Sequence, residues 1–161
     1  MKIAVIGTGY VGLVTATCLA ESGNEVCGID KDAAKIAVLE SGRLPIYEPG
    51  LLELVQRNRR EERLRFATDL GPGVSGAQLI FVAVGTPQAK DGSADLSSLW
   101  AVADALARAA AGGSWPSTSA AKPIIVIKST VPVGANRAFV ERLASKSSPS
   151  AQHFFDVASN P

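Results

Sequence analysis

Apolar residues occur along the chain in short runs that are separated by longer segments of mixed polarity. Six of these runs are predicted to be β-strands buried in a parallel sheet, because they are short, rich in β-branched or other apolar residues and bounded by turn-forming or polar residues. The predicted strands span residues 2–6, 25–29, 64–67, 78–84, 123–128 and 154–158.

Helices are predicted between the strands, where apolar residues recur every three or four positions. In the first of them the stripe predicted to face the core contains Val11, Val14, Thr15, Cys18 and Leu19, and Gly23 ends the helix. The second is expected to turn Ile36 and Leu39 inward. The second to fifth predicted helices cover residues 32–41, 51–59, 96–111 and 136–144.

Three segments show neither the apolar run of a strand nor the periodicity of a helix. Residues 43–50 and 71–76 are predicted to be loops, since glycine and proline are frequent in them. Residues 112–121 are of low complexity and are predicted to form a flexible surface insertion, in which Trp115 is a loose anchor.

Strands that alternate with helices predict the architecture. Successive parallel strands need right-handed crossovers, which place helices on both faces of an open sheet. The length of 161 residues suits one domain with a sizeable core. We therefore predict a single doubly wound α/β domain over residues 1–161.

Composition and charge narrow the class of protein. The chain is 47% hydrophobic and 19% charged, as is typical of globular proteins, and its net charge of +1 does not favour nucleic acid or an anionic membrane surface as partner. Arginines cluster at residues 57–65 and are interspersed with glutamates, which favours a solvated helix face over a polyanion site. Neither a signal peptide nor a membrane-spanning run is recognised, so we expect a cytoplasmic protein.

The cysteines and the single histidine suggest no chemistry. Cys18 and Cys27 lack metal-ligand or redox spacing, so no metal site is expected and both are predicted to be core thiols. His153 is predicted to be a surface residue near the end of an extended segment.

The sequence GTGYVG at residues 7–12 follows the first predicted strand and opens the first predicted helix. In this context the G-x-G-x-x-G pattern is typical of dinucleotide-binding domains. Gly7 permits the tight turn, Gly9 lets a pyrophosphate approach the backbone, and Gly12 lets the helix pack closely on the strand. The N–H groups of the helix N-terminus then face the negative charge. A glycine turn that binds nothing is the alternative.

Asp30 indicates which dinucleotide is bound. It directly follows the second predicted strand, 18 residues after Gly12, where a carboxylate can accept hydrogen bonds from the adenosine ribose. A 2′-phosphate would meet like charge there, so NAD is favoured over NADP. Lys31 and Lys35 keep NADP as an alternative, because the positive charge of either lysine could offset the negative charge of a 2′-phosphate. The other interpretation is that each is a solvated helix lysine. Asp30 could also cap the second helix, a role that Asp32 would fill as well.

Five segments in order carry a more specific signal: GTGYVGLVTATCLAESGNEV at 7–26, GIDKDAAKI at 28–36, PIYEPGL at 45–51, FVAVGTP at 81–87 and IVIKSTVPVG at 125–134. Over almost its whole length the chain resembles the N-terminal NAD-binding domain of the UDP-glucose and GDP-mannose dehydrogenases, and the UDP-glucose branch is the nearest. The resemblance implies a Rossmann-type domain with NAD as cofactor.

The resemblance also implies roles by position. The residues that it places at the NAD site are Val11, Asp30, Lys35, Thr86 and Thr130, with Tyr10 and Pro87 close by. Thr86 and Thr130 follow predicted strands, at the carboxyl edge where open α/β sheets bind ligands. The resemblance also implies a catalytic role for Thr130, which is to help position a water or proton near the reacting carbon. A turn hydroxyl that caps the next helix is the alternative.

The YEPGL sequence at residues 47–51 is a signature of the same family. Its simplest physical interpretation is a rigid turn that starts the third helix, with Glu48 near the positive end of that helix. Contact with the substrate is the alternative.

The family oxidises the primary alcohol of a nucleotide sugar to a carboxylate in two NAD-dependent steps. The resemblance implies UDP-glucose as substrate and UDP-glucuronate as product, with GDP-mannose or a UDP-N-acetylhexosamine as alternatives. A non-catalytic NAD-sensing module is an alternative from another class.

The same resemblance implies that this chain is a fragment. In the family a nucleophilic cysteine, a catalytic lysine, the central helix and the substrate domain follow the segment matched here. We therefore expect the fragment to bind NAD without turning over sugar, because the groups that hold the alcohol against the nicotinamide are absent. A homodimer is expected for the full-length protein and a monomer for the fragment.

Overall fold

The computed structural model describes residues 1–112, 122–147 and 155–161. In these ranges there are six strands: β1 Lys2–Ile6, β2 Glu25–Ile29, β3 Leu64–Ala67, β4 Leu79–Val82, β5 Ile124–Ile127 and β6 Asp156–Ser159. The same ranges hold six helices: α1 Tyr10–Glu21, α2 Ala33–Glu40, α3 Leu51–Arg60, α4 Leu70–Val74, α5 Ser97–Ala111 and α6 Ala135–Lys146. Each predicted strand and helix is present, and the ends given for them differ by at most two residues.

All six strands belong to one parallel sheet with the order β3-β2-β1-β4-β5-β6. This order is that of the Rossmann-type fold, and it confirms the predicted doubly wound α/β domain. After β3, at one edge of the sheet, the chain crosses to the other half, where β4 pairs with β1 and the strand order reverses. The crevice beyond the carboxyl ends of these two strands is where open α/β sheets bind ligands.

The core consists of two apolar layers, one on each face of the sheet. On one face α1, α2 and α3 cover β1 to β3 through residues such as Leu13, Leu39 and Val55. On the other face α4, α5 and α6 cover the sheet through residues such as Leu106 and Phe139. Because both faces are covered, the central strands are continuous apolar runs rather than alternating ones.

The buried face of α1 differs from the predicted stripe. Gly12, Leu13, Ala16, Thr17 and Ala20 are buried, whereas Val11 is 49% exposed and Cys18 is exposed. The helix is apolar on most of its sides, so the periodicity alone did not identify the buried one. The buried side is the one with small residues at every fourth position, Gly12, Ala16 and Ala20, because they let α1 approach the sheet closely.

The two cysteines lie in different environments, so the prediction that both are core thiols is wrong for Cys18. Cys27 is buried in β2, and burial raises the pKa of its thiol. We expect a thiol reagent to modify Cys18 in the native protein and to reach Cys27 only after unfolding, because the thiolate is the reactive species. Cys18→Ser should abolish native labelling and Cys27→Ser should not. Labelling that survives Cys18→Ser in the folded protein would contradict this assignment.

Residues 71–76, predicted to be a loop, include most of α4. The Asp69 side chain caps this helix by accepting a hydrogen bond from the Gly71 N–H at 3.1 Å. Pro72 lies in the first turn, where its missing N–H costs no hydrogen bond. Gly73 packs against β2, since a Cβ at this position would lie 2.6 Å from the Ile29 side chain. The glycine and proline residues that suggested a loop therefore suit a short, tightly packed helix.

Some predictions fall outside the described residues, namely Trp115 with residues 113–121 of the predicted insertion, and His153. Among the helices that the structure describes, none is long and apolar enough to cross a membrane. Within residues 1–112, 122–147 and 155–161, no group of three or more His, Cys, Asp or Glu side chains could hold a metal ion.

Candidate functional site

A cavity of about 340 Å³ opens at the carboxyl edge of the sheet, beside the ends of β1, β2 and β4. Its polar lining includes Asp30, Lys31 and Lys35, next to the Gly9 backbone. The rest of the lining is mainly apolar and comes largely from the strand ends, α4 and α5, through Ile29, Leu70, Val84, Ala101, Val102 and Ala105. An apolar cavity with a few polar groups is typical of cofactor sites.

The three glycines of the GTGYVG turn are required for three different reasons. Gly7 has a φ of +97°, and a Cβ there would lie 2.6 Å from the Ala83 carbonyl oxygen. A Cβ on Gly12 would lie 1.8 Å from the Gly7 carbonyl oxygen, so α1 could not start where it does. A Cβ on Gly9 would meet no protein atom within 4 Å. Gly9 is thus the N-cap of α1 with open space above it, which leaves room for a ligand to approach the backbone.

Asp30 is held by hydrogen bonds from three residues. Its Oδ2 accepts from the Thr8 N–H at 2.9 Å, the Thr8 hydroxyl at 3.0 Å and Lys35 Nζ at 2.7 Å, and its Oδ1 accepts from the Asp32 N–H at 3.1 Å. Burial alone would raise the pKa of Asp30, but these hydrogen bonds outweigh it and hold the pKa below its ordinary value. Asp30 is therefore an ionised acceptor at the edge of the cavity.

The helix-cap alternative for Asp30 does not hold. The side chain of Asp32 caps α2 by accepting hydrogen bonds from the N–H groups of Ala34 and Lys35, at 3.0 and 3.1 Å. Nor is Lys35 a solvated lysine, since it forms an ion pair with Asp30. Lys31 is exposed at the rim of the cavity.

The loops after β4 and β5 are joined by two hydrogen bonds. The Thr86 hydroxyl donates to the Thr130 carbonyl oxygen at 2.9 Å, and the Ser129 hydroxyl donates to the Val84 carbonyl oxygen at 2.6 Å. Thr130 does not cap the next helix, because α6 begins after Gly134. These contacts bring Thr86 and Thr130 together at the carboxyl edge, as expected for residues that follow neighbouring parallel strands.

The structure brings some of the predicted site residues to the cavity and not others. Gly7, Gly9, Asp30 and Lys35 line it, whereas the following residues lie outside it: Tyr10, Val11, Gly12, Thr86, Pro87 and Thr130. Tyr10 and Val11 are exposed at the first turn of α1, and Pro87 is exposed in the loop after β4. The predicted residues therefore form two groups along one edge of the sheet.

Sequence reasoning missed Thr8 and the α5 wall. Thr8 is one of the variable positions of the glycine motif, so the pattern itself gave no signal for it. The α5 wall was visible only as small residues at three- and four-residue spacing, Ser98, Ala101 and Ala105, which predicted a helix but not a pocket. A cavity formed by residues far apart in the chain requires the tertiary structure.

A second contact at this edge joins the first turn of α1 to the YEPG turn. The Tyr10 hydroxyl donates a hydrogen bond to Glu48 Oε2, while Tyr47 is 89% exposed. The hydrogen bond and the negative charge of Glu48 both raise the pKa of Tyr10 above its ordinary value of 10.0. The YEPG turn is thus tied to the glycine turn as well as starting α3.

We expect Glu48→Gln to lower the pKa of Tyr10 toward 10.0, because it removes the charge that opposes the phenolate. Absorbance titration of tyrosinate measures this in a Tyr47→Phe background, which leaves Tyr10 as the chromophore of interest. Glu53→Gln on α3 is the matched control and should leave the titration unchanged. An identical Tyr10 titration with and without Glu48→Gln would contradict the contact.

The comparisons with known proteins agree with the fold. The profile described as "UDP-glucose/GDP-mannose dehydrogenase family, NAD binding domain" matches residues 1–161. A UDP-glucose 6-dehydrogenase of Bacillus subtilis is 45% identical over 160 residues, which are 99% of this chain and 32% of that protein.

Two solved structures have the same fold. A ternary complex of GDP-mannose dehydrogenase from Pseudomonas aeruginosa matches with a TM-score of 0.88 and 34% identity, over 100% of this chain and 36% of that one. A UDP-glucose dehydrogenase from Pyrobaculum islandicum matches with a TM-score of 0.86 and 38% identity, over 99% of this chain and 35% of that one. The chain thus spans about a third of the length of these relatives. It belongs to the UDP-glucose/GDP-mannose dehydrogenase family, as the NAD-binding domain of that family.

Proposed function

We propose that NAD lies along the carboxyl edge with its adenosine in the cavity between Asp30 and α5. The observation that carries this is the position of Gly9, which has open space above it and the ionised Asp30 beside it. The pyrophosphate would accept hydrogen bonds from the backbone at the start of α1. The nicotinamide would then extend toward the joined loops that hold Thr86 and Thr130.

The proposed reaction is the NAD-dependent oxidation of a nucleotide sugar by the protein that carries this domain. NAD supplies a hydride acceptor when bound. The residues of this chain bind and orient it: Asp30 accepts from the ribose, the glycine turn holds the phosphates, and Thr130 helps to position a water or proton near the reacting carbon. The hydrogen bond from Thr86 to the Thr130 backbone would keep that loop in place.

UDP-glucose is the favoured substrate. The support is the higher identity to a UDP-glucose 6-dehydrogenase, 45%, than to the GDP-mannose dehydrogenase of known structure, 34%. The GDP-mannose dehydrogenase structure has a slightly higher TM-score than the UDP-glucose dehydrogenase structure, 0.88 against 0.86. A TM-score, however, compares the backbone fold, which both enzymes share. Sequence identity bears more directly on the substrate, because specificity depends on side chains rather than on backbone similarity.

The test is calorimetric titration of this chain with NAD, followed by assays of NADH formation. We expect one saturable NAD site and no NADH from this chain alone with UDP-glucose. In the protein that carries the domain, UDP-glucose should be oxidised faster than GDP-mannose or a UDP-N-acetylhexosamine. Absence of NAD binding would overturn the proposed site, and faster turnover of either other sugar would overturn the substrate.

A further inference from the structure

The two carboxylate oxygens of Asp30 have unequal sets of hydrogen bonds. Oδ2 accepts three, from the Thr8 N–H, the Thr8 hydroxyl and Lys35 Nζ, whereas Oδ1 accepts the Asp32 N–H. A carboxylate oxygen has two lone pairs, so Oδ2 has no remaining capacity and Oδ1 has some. The orientation of the carboxylate therefore decides which oxygen is presented to a ligand.

The donors on Oδ2 differ in how firmly they are held. Thr8 is fully buried, and its N–H and hydroxyl converge on the same oxygen. The Lys35 side chain is 28% exposed and reaches Asp30 through a flexible stem. A β-branched, buried threonine has little rotamer freedom to lose, whereas a lysine has much. Thr8 is thus the rigid donor of this group.

The packing around Thr8 fixes which way its hydroxyl points. A Cβ on Gly28 would lie 3.2 Å from the Thr8 methyl group and 2.8 Å from the Phe66 ring, so glycine in β2 leaves room for both. With the methyl group placed against β2, the hydroxyl is directed to Asp30. Thr8 lies in the glycine turn two residues after β1, and Asp30 directly follows β2, so the paired strands hold the two side chains together.

We propose that Thr8 is the positioning residue that orients the Asp30 carboxylate, and that through it the site selects NAD over NADP. With Oδ2 held by Thr8, Oδ1 is the oxygen left to accept a ribose hydroxyl. A 2′-phosphate in its place would meet the same fixed negative charge. The other charged groups here are Lys35, which is paired with Asp30, Lys31 at the cavity rim and Asp32, whose side chain caps α2. This proposal depends on the proposed NAD site.

The test compares three chains by calorimetric titration with NAD and with NADP across a range of pH: the unaltered chain, Thr8→Val and Thr8→Ser. Valine keeps the shape and removes the hydroxyl, whereas serine keeps the hydroxyl. We expect Thr8→Val to weaken NAD binding about tenfold, since Asp30 loses the hydroxyl donor that orients its carboxylate for the hydrogen bond to the ribose. It should also narrow the preference for NAD over NADP and move the acid limit of NAD binding to higher pH. Thr8→Ser should retain the unaltered preference and pH profile.

The outcomes distinguish this proposal from the proposed function. If the unaltered chain binds no NAD, both are overturned. If it binds NAD and Thr8→Val has the same affinity, preference and pH profile, Thr8 does not position Asp30. Equal losses in Thr8→Val and Thr8→Ser would show a packing role and would also overturn the proposal. Should Thr8→Val fail to fold, Thr8→Ala removes the same hydroxyl from a smaller side chain and replaces it in the comparison.

Discussion

Gly9→Ala is expected to abolish most NAD binding while the domain stays folded. The backbone at Gly9 has a φ of −69° and a ψ of −169°, which any residue adopts, and a Cβ there would meet no protein atom within 4 Å. The added methyl group would instead occupy the space where the pyrophosphate approaches the backbone. Loss of even two hydrogen bonds to a charged group should cost about a hundredfold in affinity. Calorimetry measures that loss.

Gly12→Ala is the matched control, because it adds the same methyl group three residues away. Its Cβ would lie 1.8 Å from the Gly7 carbonyl oxygen, so α1 must shift away from the sheet. We expect a loss of about 3 kcal/mol in the free energy of unfolding. For Gly9→Ala the change should stay within about 0.5 kcal/mol. NAD affinity that is unchanged in Gly9→Ala would contradict the placement of the pyrophosphate.

Asp30→Ala is expected to have the second largest effect, a loss of about a hundredfold in NAD affinity. It also leaves Lys35 unpaired at the cavity, so the preference for NAD over NADP should narrow. Asp32→Ala is the matched control, since it removes the cap of α2 and leaves Asp30 in place. That control should lower the free energy of unfolding by about 1 kcal/mol and leave NAD affinity unchanged. Equal NAD affinity in Asp30→Ala and the unaltered chain would exclude the ribose assignment.

The pKa of Asp30 sets the sign of a pH dependence. Because its pKa is lower in the folded protein than its ordinary value, the ionised form contributes stability above the ordinary pKa. That contribution is lost as the pH falls through the lower, folded-state pKa. Stability measured by denaturant at stepwise lower pH should therefore decrease more in the unaltered chain than in Asp30→Ala. A parallel decrease in the two chains would contradict this assignment.

The parts of the fold that could be predicted from sequence are those with a local cause. Each strand was visible as an apolar run, and the glycine turn was visible because a tight turn and a close helix need glycine at Gly7 and Gly12. Asp30 was found for the same reason, since its position at the end of β2 follows from spacing along the chain. The sequence did not predict which of Lys31 and Lys35 pairs with Asp30, because an ion pair depends on side-chain geometry.

The features that sequence did not predict depend on contacts between distant residues. The apolar sides of α1 were nearly equivalent by periodicity, so the buried one, and with it the exposure of Cys18, depended on packing against the sheet. In α4, Gly73 is needed for contact with Ile29, yet glycine and proline alone suggested a loop. Thr8 and Asp30 are 22 residues apart, so their contact required the paired strands β1 and β2.

The central claim, that NAD binds at the carboxyl edge with its adenosine beside α5, is tested most directly by following backbone amide signals in nuclear magnetic resonance during a titration with NAD. We predict saturable shifts at Gly9, Asp30 and Ala101, which line the cavity, and none at Lys2 or Arg65, which line a smaller pocket elsewhere. Saturable shifts confined to Lys2 and Arg65, or none at any residue, would contradict the claim.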